Sequence, residues 1–135
     1  MITRWIAAMM ALLLMSCASQ EKNSMTGQET VIEWAPFKVK KGVSQEQVFE
    51  VSARLQKEFL QEQEGFLRRE LLSTREGNYV DLVLWQSDEH AQKAMEAAST
   101  NEAAGRYFGL MDFDPTDPAA APQHLRRLRT YTTED

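Results

Sequence analysis

Few side chains in this 135-residue sequence combine type and spacing in a way that permits chemistry, and they fall into three sets. Cys17 is the only cysteine, at the end of "LLLMSC". A lone thiol can be a nucleophile, a metal ligand, a core residue or an attachment point. His90 and His124 are the only histidines, and neither HxxxH nor HExxH occurs, so no metal centre is expected. The third set comprises the charges that interrupt apolar strand-like runs: Glu33 in "VIEWAPF", Arg69 in "FLRRELL" and Asp81 in "YVDLVLW". No GxGxxG, P-loop or GxSxG is present, so phosphate cradling and a nucleophile elbow have no support.

The surroundings of Cys17 decide its role. Arg4 precedes the apolar run "WIAAMMALLLM" at 5 to 15, which is shorter than the roughly 20 residues a spanning helix needs. A polar stretch follows. This is the form of an export signal. Leu14, Met15, Ser16 and Cys17 resemble the lipobox of bacterial lipoproteins. The resemblance implies cleavage before Cys17, a diacylglyceryl group on its sulfur and an acylated amino terminus, since two or three chains hold where one does not. The alternative is a plain secretory signal with an incidental cysteine. Ala18, in place of an acidic residue, implies by the same resemblance an outer-membrane location facing the periplasm if the organism is Gram-negative. With Cys17 used as an anchor, no thiol remains for a disulfide or a thiol enzyme.

The expected organisation is therefore a signal peptide at 1–16, the lipidated cysteine and a flexible linker at 17–29, and one domain at 30–135. From residue 17 onward the chain carries 14 basic and 20 acidic side chains, a net of −6. Such a surface repels phosphate backbones, so nucleic acid is not an expected partner. The one basic cluster, "HLRRLRT" at 124–130, reads as a strand that would put Arg126 on one face and Arg127 with Arg129 on the other.

The elements follow from period and punctuation. "TVIEWAPFKVK" is β-branched and aromatic, although Pro36 suits an edge or a bulge. Ser44 with Gln47 makes a capping box, and Val48, Val51, Leu55 and Phe59 share one helical face in a helix expected to end near Gly65. Residues 66–87 read as a hairpin turning at "EGN". In its first strand Leu67 and Leu71 alternate with Arg68 and Glu70, and its second strand is apolar enough to be central. Ser87 opens another helix, in which Ala91, Ala94, Met95 and Ala98 form a face, and His90 in its first turn reads as solvated or near its cap. "TN" at 100–101 breaks this helix before a second apolar face built on Ala104, Tyr107, Phe108 and Met111. After a proline-punctuated connection the last strand begins at His124.

Strand, helix, strand, strand, helix, strand is the split βαβ order of a ferredoxin-like α+β sandwich. Its helix-free sheet face carries enough apolar side chains to call for a homodimer closing sheet on sheet.

In this order, "EWAPFKVKKG", "FLQEQEGFLRRELL", "YVDLVLWQSDEHAQKAM" and "RYFGLMD" together resemble the antibiotic biosynthesis monooxygenase superfamily over about residues 30–131. The resemblance implies a dimeric α+β barrel. It also implies a pocket for a small apolar or aromatic molecule, or alternatively cofactor-independent oxygenation (or isomerisation) of a phenolic or quinone-like substrate. The haem-degrading branch uses a Trp and an axial His at positions that fall here on Ala94 and on Ala104 or Gly105, so that chemistry is disfavoured and no cofactor is expected.

For cofactor-free oxygenation the candidate polar groups are Glu33, Arg69 and Asp81, with Trp85 and Tyr107 as walls and His124 near the rim. The competing reading makes Arg69 and Asp81 a structural ion pair, Trp85 core filling, and Glu33 an edge or dimer-interface charge.

Overall fold

The computed structural model describes residues 30–133. The expected signal segment, the expected linker and Cys17, the expected lipid attachment site, lie outside the described residues. Among those described, no helix is long and apolar enough to cross a membrane.

Four strands, β1 (Val31–Phe37), β2 (Phe66–Ser73), β3 (Tyr79–Trp85) and β4 (Gln123–Arg126), form one antiparallel sheet in the order β2-β3-β1-β4. Helices α1 (Gln45–Glu58), α2 (Asp88–Ala98) and α3 (Glu102–Phe108) connect them. This is the expected ferredoxin-like α+β plan, with each connection between parallel strands returning through a helix.

Local rules start each helix where the sequence indicates. Ser44 Oγ accepts from the Gln47 amide and Gln47 returns the contact to the Ser44 amide. Ser87 and Asn101 cap α2 and α3 from one side only, each side-chain oxygen accepting from the amide three residues on, and the Asn101 cap is what splits the second helical region in two.

The ends are less regular. α1 stops at Glu58 rather than near Gly65, and a 3-10 turn at Leu60–Glu62 carries both Phe59 and Leu60 into the core. Gly65 then turns with φ +78, and a Cβ there would sit 2.2 Å from the His90 ring. His90 is thus near its cap rather than solvated: it is packed against the turn, with its Nδ1 2.8 Å from Oγ of Ser87, the N-cap.

Pro36 lies in a central strand, yet beyond Trp34↔Gln123, the last pair with β4. From there on β1 pairs with β3 alone, and proline is tolerated where one side of a strand carries no ladder bonds. The final strand is short: it ends at Arg126, so Arg127 and Arg129 belong to an exposed tail and not to a strand face.

Register assigns the two faces. Pairs Glu33↔Val83, Ala35↔Asp81 and Phe37↔Tyr79 put these side chains, with Trp85, toward the helices. A bulge between Phe66 and Arg68 takes Leu67 out of the alternation. It leaves Leu67 42 % exposed and brings Arg69, opposite Val83, onto the helix side together with Leu71. The simple alternation expected for Leu67 and Leu71 is thereby corrected. The core lies between this face and the helices, around Val48, Leu55, Phe59, Val83, Trp85 and Tyr107. The opposite face carries half-buried Ile32, Trp34, Leu82 and Leu84, with Leu72 and Leu125 exposed.

Candidate functional site

The helix-facing side of the sheet bounds a cavity of about 960 Å³, a size that suits a small organic molecule. Its walls include Leu55, Phe59, Val83, Trp85 and Tyr107, and Met95, Phe108 and Phe113 stand exposed along it. Two buried carboxyl groups line the same space, Glu33 and Asp81. They share a face of adjacent strands but live in different company.

Asp81 is fully engaged. Arg69 donates from Nε to its Oδ1 at 2.8 Å, and Tyr107 donates its hydroxyl to Oδ2 at 2.7 Å. Arg69 in turn gives Nη1 to Ser52 Oγ at 2.8 Å and to the Ser52 carbonyl at 3.2 Å, while its guanidinium stands 5.1 Å above the Tyr107 ring. Nη2 is 2.7 Å from the same Asp81 oxygen but makes no well-directed hydrogen bond among the described residues. The network ties β2, β3, α1 and α3 together. Burial pushes the Asp81 carboxyl up from its ordinary range, against the opposing pull of Arg69 and Tyr107. Burial, reinforced by the Asp81 charge, also pushes the Tyr107 hydroxyl well up, so it stays a donor.

Glu33 is half engaged. Trp85 donates Nε1 to its Oε2 at 3.0 Å, whereas Oε1 accepts no hydrogen bond among the described residues. The residue is 8 % exposed. Burial raises its pKa, with Asp81 adding to the rise; the Trp85 hydrogen bond and nearby His124 oppose it. Glu33 therefore sits on the inner face of a central strand, and the reading of it as an edge charge is corrected.

His124 is the cross-strand partner of Glu33. It lies outside the cavity lining, and its Nδ1 is held by Asp88 Oδ1 at the start of α2. The structure thus brings Glu33, Arg69, Asp81, Trp85 and Tyr107 to one cavity and sets His124 behind it. Trp85 is 2 % exposed: it fills the core and also donates to Glu33.

Two participants escaped the sequence reading. Ser52 falls one turn beyond Val48 on the buried stripe of α1, so a polar residue on an apolar face was its signal. Asp88 looked like an ordinary first-turn acid, and only the fold brings it to His124. Among the described residues no group of three or more His, Cys, Asp or Glu side chains is arranged to hold a metal ion.

No protein-family profile matches the chain, and no curated protein matches it. Solved structures do. SnoaB, a cofactor-independent oxygenase from Streptomyces nogalater, is 20 % identical with a TM-score of 0.56, covering 79 % of this chain and 99 % of its own. A candidate antibiotic biosynthesis monooxygenase from Bordetella bronchiseptica is 17 % identical with a TM-score of 0.57, covering 77 % and 100 %. The hydroxynitrile lyase of Passiflora edulis is 12 % identical with a TM-score of 0.54, covering 78 % and 100 %. One fold therefore serves an oxygenase and a lyase, and what a member does has to be argued from its own site. The chain has the α+β fold of the antibiotic biosynthesis monooxygenase-like proteins.

Proposed function

We propose that this domain binds a small aromatic molecule in the cavity between sheet and helices, and that Glu33 is the group that recognises it. The observation carrying this reading is Glu33 Oε1, which accepts no hydrogen bond among the described residues and stands in a mostly apolar cavity. A buried carboxyl with an unused oxygen accepts from a ligand that brings one hydroxyl or N–H donor. The charges restrict the ligand further. Arg69 is ion-paired with Asp81 and its Nη1 is taken by Ser52, leaving only Nη2 without a well-directed hydrogen bond, so its charge is largely spent, while the Glu33 carboxyl, which has no ion-paired cation among the described residues, disfavours an anion. The ligand class is a neutral aromatic donor, such as a phenol, rather than an aromatic acid.

In cells the domain would work at the end of the Cys17 anchor and linker, at a membrane surface, as a homodimer. Support for the dimer comes from Ile32, Trp34, Leu82 and Leu84 side by side on the helix-free face, where a second sheet would cover them.

Equilibrium binding to the chain from Ala18 onward tests the ligand class. A hydroxylated aromatic should bind at least tenfold more tightly than its methyl ether or its carboxylate analogue, and Glu33→Gln should erase the preference. Equal affinity for phenol and ether would reject the assignment. A second reading, cofactor-independent oxygenation, is favoured by the same free oxygen: a carboxylate beside a phenol can take its proton and leave an anion for oxygen to attack in a dry site. Oxygen uptake with hydroxylated substrates, lost in Glu33→Gln, would select that reading; its absence with every bound phenol would leave binding alone.

A further inference from the structure

The one basic cluster of the sequence, at 124–130, lies outside the cavity lining. After β4 ends at Arg126 the chain continues as a tail in which Leu128 is 83 % and Tyr131 75 % exposed. Arg127 and Arg129 carry no ion pair among the described residues, and the Arg129 guanidinium stands 5.2 Å over the Tyr131 ring. Arginines interleaved with a leucine and a tyrosine suit the boundary between water and lipid. The arginine stems lie along apolar chains while their heads meet phosphates, and tyrosine sits at headgroup level.

Charge is divided along the chain in the same sense. Residues 17–123 hold 11 basic and 18 acidic side chains, whereas 124–133 hold three arginines and no acid. An anionic surface therefore repels the body and attracts the tail. Register then sets the tail beside the tether. Arg126 is the cross-strand partner of Val31, about 5 Å away across the ladder, so the tail leaves the sheet at the end where the chain enters it from Cys17. Residues 18–30 span at most about 45 Å even fully extended. With Cys17 in a bilayer, a segment held so near needs only weak affinity of its own to engage.

We propose that the tail at 127–131 docks on an anionic phospholipid bilayer, with Arg127 and Arg129 on the headgroup phosphates and Leu128 and Tyr131 in the interface. The docked domain rests on the membrane in one orientation instead of swinging on its tether. This docking rests on the reading of Cys17 as the anchor, and each arginine near an anionic surface favours it about fivefold.

Cys17 is the only thiol, so it couples the chain from Cys17 onward to a maleimide-bearing lipid, which supplies the tether whether or not cells lipidate that residue. Vesicles with brominated acyl chains report an inserted indole, and Tyr131→Trp places one in the tail; the parent, with Trp34 and Trp85 alone, gives the background. On equimolar phosphatidylglycerol and phosphatidylcholine, quenching of Tyr131→Trp should exceed that on phosphatidylcholine alone by about twofold or more, and high salt should remove the difference. Adding Arg127→Glu and Arg129→Glu should abolish it, while Glu134→Gln with Asp135→Asn, which removes the two acids that follow, should strengthen it. Arg127, Arg129 and Tyr131 are exposed, so the domain stays folded when they are replaced. Quenching that is equal on the two lipids, that ignores the charge reversal, or that tracks protein density instead of lipid charge, as it would if the tail met a second copy of the chain, would each overturn the docking. The anchor reading fails separately, if palmitate label in cells persists in Cys17→Ser.

Discussion

Two carboxyl groups stand on the same sheet face, and their difference separates architecture from function. Asp81 has both oxygens filled by Arg69 and Tyr107, and through them it joins four elements. Glu33 has one oxygen filled, and its neighbours are an indole and a histidine held from outside. Burial alone would have ranked the two alike, at 7 % and 8 % exposure. Counting satisfied oxygens separates them. A saturated buried charge fixes the fold, whereas one with a spare acceptor can meet something that is not protein.

That contrast can be broken in measurable ways. Arg69→Ala should have the largest effect, because it leaves Asp81 buried without its cation: a loss of about 3 to 5 kcal/mol, read from urea unfolding. Tyr107→Phe keeps the ring and removes one donor to Asp81, so about 1 to 3 kcal/mol should be lost in the same assay. Glu33→Gln should cost little stability, since the amide oxygen can still accept from Trp85, while affinity for a phenolic ligand falls at least tenfold, or about 1.4 kcal/mol. A Glu33→Gln variant as unstable as Arg69→Ala would erase the distinction between the two carboxyls.

The smallest effect is one of pH. Glu33 keeps its proton in the folded state to a higher pH than its ordinary value of 4.5. Between the unfolded and folded values the native state binds more protons, so this residue's contribution to stability is present at low pH and declines as pH rises. Urea midpoints measured from pH 4 to 8 should fall less steeply in Glu33→Gln than in the parent. Asp81, raised in the same direction, keeps the slope from vanishing.

Much of this plan was legible in the sequence because it rests on local rules. The Ser44 capping box, the Asn101 break and the apolar stripe of α1 each act within a turn or two, and each stands where spacing puts it. Charges set in apolar runs likewise pointed to Glu33, Arg69 and Asp81 as residues with a reason to be there. What spacing does not encode is which of them meet. Ser52 reaches Arg69 over 17 residues, Asp88 reaches His124 over 36 and Trp85 reaches Glu33 over 52. These contacts exist only once strand register and helix placement are set. The missed irregularities, the early end of α1 and the displaced Leu67, have the same origin, since packing against the sheet overrode the local period.

The bulge at Leu67 has an outcome larger than its single residue. Strand side chains obey an odd-even rule, and Arg68 and Arg69, chemically identical neighbours, are sorted by it into a surface pair with Glu70 and the buried clamp on Asp81. The extra residue sets the parity of everything after it relative to Phe66. Phe66 and Arg69 are three apart yet point the same way, and so the aromatic that packs edge-on against Trp85 and the cation that holds Asp81 serve one interior. Leu67 works as a phase shifter: the cavity's charge balance depends on a place where the strand counts two residues as one.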